Sequence, residues 1–372
     1  MRILFAITRS DTVGGAQLHV HNVASALSES GHAVLVVTGT YGPYNDFLEK
    51  SGIQSRVCPT LKNNINPLQD LQTLAFLRGA IRDFQPNLVS THSSKTGILG
   101  RLAAKQTGTP VIFTAHGWSF ADGVPEPKRT IYKWLEQWAI GFTDRLICVS
   151  EWDRQLGMRT AGMPPGKLIK IHRSVQDVPK SWRAEPGSGN PVKVVMVARF
   201  ELQKDHITIL KAIKDLEGVQ LDFIGDGPTK DGVRLRAHAL GIAHKVNFLG
   251  FCTDVSERLK DYHIFALITN WEGFPTSTLE AMRAGLPVVV SDVCGASEAI
   301  VEGETGFSIP HGDADTLRKR LRELIENRDR RVAMGKAARS RYECEYTFSM
   351  MMERTLAAYR EALVHAGSVA KA

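Results

Sequence analysis

The sequence predicts an α/β protein: two doubly wound parallel-sheet domains facing a cleft, followed by C-terminal helices. Three observations predict it. Short apolar runs alternate with amphipathic stretches of helical period, the pattern of parallel strands joined by crossover helices. The alternation stops at Ala184-Glu185-Pro186-Gly187-Ser188-Gly189-Asn190-Pro191 and then begins again. The chain of 372 residues is long for one core and comfortable for two domains of ordinary size.

In the first half, residues 3–7, 33–38, 88–91, 111–114 and 145–149 read as buried strands, and 16–30, 68–84, 95–107 and 127–142 as amphipathic helices. Residues 184–191 have the composition of an interdomain linker. Beyond it, 192–197, 221–224, 246–249, 264–267 and 287–291 read as strands with helices between them. Helical patterning returns at 313–327, 329–344 and 347–366, and the tail after His365 is expected to fray. The expected organisation is a Rossmann-like domain over 1–183, a linker over 184–191 and a second Rossmann-like domain over 192–346. A C-terminal helix over 347–372 then returns to the first domain. Ligands of open α/β sheets bind at the carboxyl ends of the strands, so the cleft is expected there.

Composition narrows the class. Apolar residues make up 43% and charged residues 23% of the chain, as in a globular protein. No run of 18 apolar residues exists to span a bilayer. The opening run Met1-Arg2-Ile3-Leu4-Phe5-Ala6-Ile7 meets Thr8 and Arg9 too soon for a signal-peptide core and reads as a first strand. Cys58, Cys148, Cys252, Cys294 and Cys344 are odd in number and scattered without C-x-x-C, which argues against a disulfide framework and a zinc site and for a cytoplasmic protein. The net charge of +7 lies wholly in the first half: residues 1–185 hold 21 Lys/Arg against 14 Asp/Glu, and 186–372 hold 25 of each. A basic half suits lipid surfaces or lipid-linked phosphates. No nucleic-acid module accompanies it.

The motifs fall at predicted strand ends. Glu272-Gly273-Phe274-Pro275-Thr276-Ser277-Thr278-Leu279-Glu280 sets two carboxylates about a Gly-x-Pro turn that opens a helix. Proline suits the first helical position, and free N–H groups there form an anion site. With Glu280 about two turns along the helix, the two acids should serve different parts of one ligand, and a nucleotide sugar fits. The spacing alone equally suits solvated acids at a helix start. Arg199 ends a strand and Lys204 follows it, two cations suited to a diphosphate whose leaving charge grows in the transition state. Gly225-Asp226-Gly227-Pro228 reads as a tight turn, and Gly250-Phe251-Cys252 as a strand end that could contact a base. A P-loop is absent.

In the first half, Gly14-Gly15-Ala16 opens the first helix, where backbone can approach a ligand closely or simply turn. No acidic residue follows the second strand at Thr38-Gly39, which disfavours a dinucleotide site. His92 and Lys95 lie in His92-Ser93-Ser94-Lys95-Thr96-Gly97-Ile98-Leu99-Gly100-Arg101, with Gly97 and Gly100 suited to close helix packing. Lys95 could hold an acceptor phosphate or simply be a solvated helix-start lysine. His116, before Gly117 and Trp118, reads as a ligand contact or as a satisfied structural histidine. Ile131, Trp134, Leu135, Trp138 and Phe142, with Lys128, Arg129 and Lys133, suit a helix lying on a membrane or one packed on the sheet.

Together these residues resemble the family 4 retaining glycosyltransferases of the GT-B fold, on Gly14-Gly15-Ala16, His116, Arg199 with Lys204, Gly225-Asp226-Gly227-Pro228 and the Glu272/Glu280 pair. The stretches around His92 and His116 further resemble bacterial members that build capsular, exopolysaccharide or lipid-linked oligosaccharides from UDP-hexosamines. The resemblance implies that Arg199 and Lys204 bind the donor diphosphate, that Glu280 accepts ribose hydroxyls, and that Glu272 accepts the sugar's hydroxyls. It assigns the amides about Phe274, Pro275, Thr276 and Ser277 to sugar and phosphate, and Phe251 and Cys252 to the donor base. His116 belongs near the donor sugar. Gly15 touches the donor and lines the acceptor side, and Gly14, His92 and Lys95 bind the acceptor. It implies a UDP-sugar donor, a polyprenyl-diphosphate-linked glycan acceptor, no metal or other cofactor, and work at the inner face of the cytoplasmic membrane with peripheral contact through the basic half. Where members often carry an Asn-Gly turn, this chain has Ile171-His172-Arg173-Ser174-Val175, which leaves the interdomain path in doubt. The alternatives are a sugar-nucleotide sensor or assembly partner without turnover, a GT-B epimerase, or a phosphorylase, for which no pyridoxal-binding lysine context is evident.

Overall fold

The computed structural model describes residues 1–121 and 124–369. The chain divides into two compact units, residues 1–172 with 351 onward, and residues 173–350. The first holds seven strands, β1 (Arg2–Ile7), β2 (Ala33–Thr38), β3 (Ser55–Val57), β4 (Leu88–His92), β5 (Val111–Ala115), β6 (Arg145–Cys148) and β7 (Leu168–Lys170). All pair in parallel, in the order β3-β2-β1-β4-β5-β6-β7. Five coincide with the predicted strands to within a residue or two. β3 and β7 escape prediction because three residues are too short a run to show a period.

The second unit holds β8 (Val192–Val197), β9 (Val219–Ile224), β10 (Val246–Gly250), β11 (Ile264–Leu267), β12 (Val288–Ser291) and β13 (Gly306–Ile309), again all parallel, in the order β10-β9-β8-β11-β12-β13. The strand order reverses beside β1 in one sheet and beside β8 in the other. Each sheet therefore has a switch point at its centre, β1/β4 and β8/β11, where loops of opposite sense part and leave a crevice.

The predicted linker is corrected. Residues 184–191 lie inside the second unit: Ala184 N–H donates to Ala284 O at 2.7 Å, Arg331 Nε to Pro186 O at 2.6 Å and Arg328 Nε to Gly187 O at 2.8 Å. Gly, Ser and Pro signal irregular backbone, and this irregular backbone is tied down by side chains from another element. The boundary expected at 183 falls instead between His172 and Arg173. Ser174 does not adopt the left-handed conformation, so the turn there needs no glycine.

The last helix, Phe348–Val369, runs past the predicted end at 366; of the tail expected to fray, residues 370–372 lie outside the described residues. From Met351 on the chain belongs to the first unit. There Tyr359 is buried with its hydroxyl 3.1 Å from Ser90 Oγ, and Arg145 Nε lies 3.3 Å from Glu361 Oε2.

Helix Ser94–Thr107 lies close on β4 and β5 because of its glycines. A Cβ at Gly97 would stand 2.7 Å from the Phe113 ring, and one at Gly100 2.6 Å from Thr91 Cγ2. Arg101 on this helix is fully buried, bonded to Glu136 at 2.6 Å and lying over the Phe113 ring at 4.3 Å. This pair docks helix Lys128–Ala139, whose buried positions are Glu136 and Ala139. The opposite face stays exposed: Ile131, Trp134 and Trp138 are 43%, 73% and 51% accessible. All five cysteines are free. Among the described residues no helix is long and apolar enough to cross a membrane.

Candidate functional site

In the second unit the functional side chains gather where β8 and β11 end. After β8 the chain turns through Arg199 and the buried Phe200, which stacks on His206 at 4.2 Å. Residues 203–205 then run antiparallel to 268–270: Lys204 bridges Thr269, Asn270 N–H donates to Gln203 O at 2.8 Å, and Asp205 N–H to Ile268 O at 2.9 Å. That short ladder carries Lys204 to Glu272, and its Nζ donates to Glu272 Oε2 in an ion pair. Gln203 Nε2 donates to the same oxygen at 3.2 Å and to Trp271 O at 2.9 Å. The result is an ammonium and a carboxylate held together at the sheet's switch point. Sequence reasoning gave them different parts of the ligand and did not foresee that they pair.

Arg199 lies two residues past the end of β8 and is half exposed, its Nη1 donating to Glu201 Oε1 at 2.7 Å. Its loop is set by Gly225 and Gly227, at φ 145° and 150°. A Cβ would approach Ala198 O to 2.0 Å at Gly225 and Phe200 O to 2.4 Å at Gly227. These positions require glycine because the turn after β9 packs against the backbone that aims Arg199.

The helix opened by the Gly-x-Pro turn is Thr276–Ala284, with Pro275 as its N-cap and not its first residue. Thr276 and Ser277 thus bring the first free N–H groups, and no side chain caps them. The hydroxyls of Thr276 and Thr278 are buried without a partner. Phe274 contributes backbone only, since its ring is buried at 5.7 Å from that of Tyr346. Glu280 is the fifth residue of the helix, little more than one turn in, where two turns were expected. Burial holds its carboxyl above the ordinary range, and the cation of Arg283 partly opposes this. Phe251 follows β10 with its ring 70% exposed, and Cys252 beside it is half-buried.

In the first unit the corresponding edge is the end of β1, β4 and β5. Gly14 caps helix Gly15–Glu29, its N–H donating to Gln17 Oε1 at 3.3 Å. His92 ends β4 and is buried; its Nδ1 and His116 Nε2, just past β5, share a hydrogen bond of 2.9 Å. His92 Nε2 lies 3.1 Å from Ser90 Oγ, which continues to Tyr359. His116 is the more accessible of the two and His92 is buried behind it, so the acceptor contact expected of His92 would run through His116. Trp118 is a packing residue, its Nε1 donating to Asp153 O at 2.7 Å.

Lys95 is not a solvated helix-start lysine. Its ammonium is bonded to Asp70 at 2.6 Å and to Asn64 O, with only 9% of the side chain exposed, so an acceptor phosphate there would exchange with Asp70 as a donor phosphate at Lys204 would exchange with Glu272. His19, on the helix that Gly14 caps, was missed; its ring stands 5.1 Å from that of His116. The only sequence signal was a histidine one turn past the glycines. Ser93 was also missed: at φ 70°, it takes Thr8 N–H at 3.2 Å and stitches the ends of β1 and β4.

Two switch-point edges, one with cations and acids at a helix start and one with clustered histidines, on two Rossmann-like sheets define a GT-B glycosyltransferase. Residues 13–177 match the family model Glycosyltransferase Family 4, and residues 179–341 match Glycosyl transferases group 1. The chain is 30% identical over 317 residues to "Putative glycosyltransferase EpsD" of Bacillus subtilis (strain 168), covering 80% of each. It is 29% identical over 304 residues, 77% of this chain and 78% of the other, to the UDP-Gal:alpha-D-GlcNAc-diphosphoundecaprenol alpha-1,3-galactosyltransferase of Escherichia coli. The fold is similar to that of Anabaena Alr3699/HepE, solved with UDP, at a TM-score of 0.83 and 19% identity over 97% of this chain and 100% of that one. This chain belongs to the family 4 glycosyltransferases.

Proposed function

We propose that the enzyme moves a hexose or N-acetylhexosamine from a UDP-sugar to a glycan on a polyprenyl diphosphate, with retention, in bacterial surface-polysaccharide synthesis. The observation that carries this reading is the meeting of Lys204 and Glu272 at the β8/β11 switch point, beside the uncapped helix start at Thr276. A relative acts on a diphosphoundecaprenol-linked GlcNAc with UDP-Gal, and the Anabaena protein holds UDP, which supports this donor and acceptor class.

Arg199 and Lys204 neutralise the diphosphate, and the first N–H groups of the helix receive one of its oxygens or the sugar's. Binding exchanges the Lys204–Glu272 pair for ligand contacts: the ammonium takes phosphate and the carboxylate takes sugar hydroxyls. Glu280 accepts the ribose hydroxyls, and Phe251 offers an open ring face to the base. His116 meets the donor sugar, and Gly14 and Gly15 give backbone to the acceptor. The bond from the anomeric carbon to the diphosphate oxygen breaks with its electron pair going to the diphosphate. The acceptor hydroxyl attacks from the same face, and its proton passes to the departing phosphate oxygen. Two cations carry the leaving charge, so the reaction as proposed uses no metal.

Peripheral membrane contact is part of the proposal. Ile131, Trp134 and Trp138 form an exposed stripe beside Lys128 and Lys133, and Ile65, Leu68 and Leu71 are exposed near the start of helix Pro67–Phe84. Apolar rings with lysines at their margin suit the interface of an anionic bilayer at the cytoplasmic face.

The test is a panel of UDP- and GDP-sugars with EDTA present, read as donor binding and nucleotide release. Release of UDP from one donor, raised by a polyprenyl-linked acceptor, is expected. Binding with no release under any acceptor would favour a sensor, and no binding to any donor would overturn the reading.

A further inference from the structure

We propose that His19, His92 and His116 form a binding site for one borderline divalent cation of the Zn²⁺ type, which competes with the ligand at His116. One ring nitrogen from each of the three lies within 4.8 Å of the other two. They come from three separate elements, the helix after β1 and the ends of β4 and β5, so the convergence is a product of the sheet's switch point and not of local sequence. Tetrahedral Zn²⁺ holds nitrogens at about 2.0–2.1 Å, which sets them roughly 3.4 Å apart. His92 Nδ1 and His116 Nε2, at 2.9 Å, need open only slightly to admit a cation between them. His19 is half-buried on a helix surface and closes the third contact by a side-chain rotation.

The outer groups fit as well. A ligating histidine usually gives its second ring N–H to an oxygen that fixes its tautomer and orientation. Ser90 Oγ, 3.1 Å from His92 Nε2, is placed to take that N–H once Nδ1 binds a cation, and Ser90 is held by the buried Tyr359 hydroxyl at 3.1 Å. Phe5 stacks on the His92 ring and limits its rotation. The donor set is three imidazoles without a carboxylate, which suits Zn²⁺, Co²⁺, Ni²⁺ or Cu²⁺ and offers nothing to Mg²⁺ or Ca²⁺, both of which want oxygen. A fourth position stays open to water. Such a cation occupies the His116 imidazole that the proposed reaction sets against the donor sugar, so it acts as an inhibitor rather than a cofactor; this last consequence rests on the proposed function, whereas the binding does not.

The test is titration of the full chain with Co²⁺, read by its visible ligand-field bands, with Zn²⁺ added as competitor. One equivalent per chain with bands of low coordination number, displaced by Zn²⁺, is expected. The bands should be lost in His19→Ala and His116→Ala and retained in His238→Ala, an exposed histidine elsewhere. Ser90→Ala should keep the stoichiometry and lose about 10–100-fold in affinity, as for other outer-shell partners. No spectral change in the wild-type chain, or equal binding after His19→Ala, would overturn the proposal. Because the readout is binding by the chain alone, it stands or falls independently of the reaction assigned above. Should the site bind Co²⁺ while Zn²⁺ leaves donor turnover unchanged, the competition with the ligand is refuted.

Discussion

Lys204 and Glu272, 68 residues apart in sequence, form an ion pair at the carboxyl ends of neighbouring strands β8 and β11, with Gln203 bonded to the same carboxylate. Each charge is therefore balanced and oriented by the other. Lys204→Ala and Glu272→Gln should each lower kcat by about 10²–10³-fold, the loss typical of a group aimed at developing charge. Circular dichroism should show both variants folded. Turnover like that of the wild type in both would sink the assignment.

The proposed contact of Glu280 with the ribose should give donor binding a pH dependence. Burial raises its carboxyl above the ordinary range, against the partial pull of Arg283. An ionised carboxylate accepts two hydroxyl protons, and its protonated form loses that capacity in part. Donor affinity should fall as pH drops through a value above the usual carboxylate range. Calorimetric titration should find the dependence abolished in Glu280→Gln.

His206 supplies a pH dependence for stability. Burial against Phe200 lowers its pKa from 6.5 to about 4. Between those values an unfolded chain takes up a proton that the folded chain refuses. Stability is then full above pH 6.5 and declines as pH falls toward 4, by roughly 3 kcal/mol in all. Urea unfolding across that interval should show the slope, and His206→Phe should flatten it.

Gly225 cannot carry a side chain without moving Ala198 O, the acceptor a Cβ would meet at 2.0 Å. Gly225→Ala should destabilise by more than about 1 kcal/mol because φ is also left-handed there. It should also raise KM for the donor by displacing Arg199. Thermal melting and steady-state kinetics check both parts.

The exposed stripe of Ile131, Trp134 and Trp138 predicts binding to vesicles containing anionic lipid. Trp134→Ala with Trp138→Ala should weaken sedimentation with vesicles severalfold while donor hydrolysis in solution stays unchanged. Salt should weaken binding of the wild type, since the lysine contribution is screened over about 8–10 Å. Binding that ignores salt, or none, would count against the surface.

Ten of the strands were legible in the sequence because a buried parallel strand is an apolar run long enough to notice, as 192–197 and 264–267 are. Ser55–Val57, Leu168–Lys170 and Gly306–Ile309 were not, being three or four residues each, with polar members. The candidate residues were chosen by their place at strand ends: Lys204 and Glu272 meet there, Arg199 pairs with Glu201 instead, and Lys95, which looked the same in sequence, is bonded to Asp70. Nothing in a lysine's neighbours along the chain reveals a partner 25 residues away.

The sequence by itself determined the alternation of strands and helices, the two sheets, and the strand-end loops that hold the candidate residues, since period and turn residues are local properties. Tertiary structure alone decided what meets what. Strand order put β8 beside β11 and β1 beside β4, and so joined Lys204 to Glu272 and gathered His19, His92 and His116. The reason is physical: side-chain contacts between distant segments depend on sheet order and crossover, which no local pattern encodes.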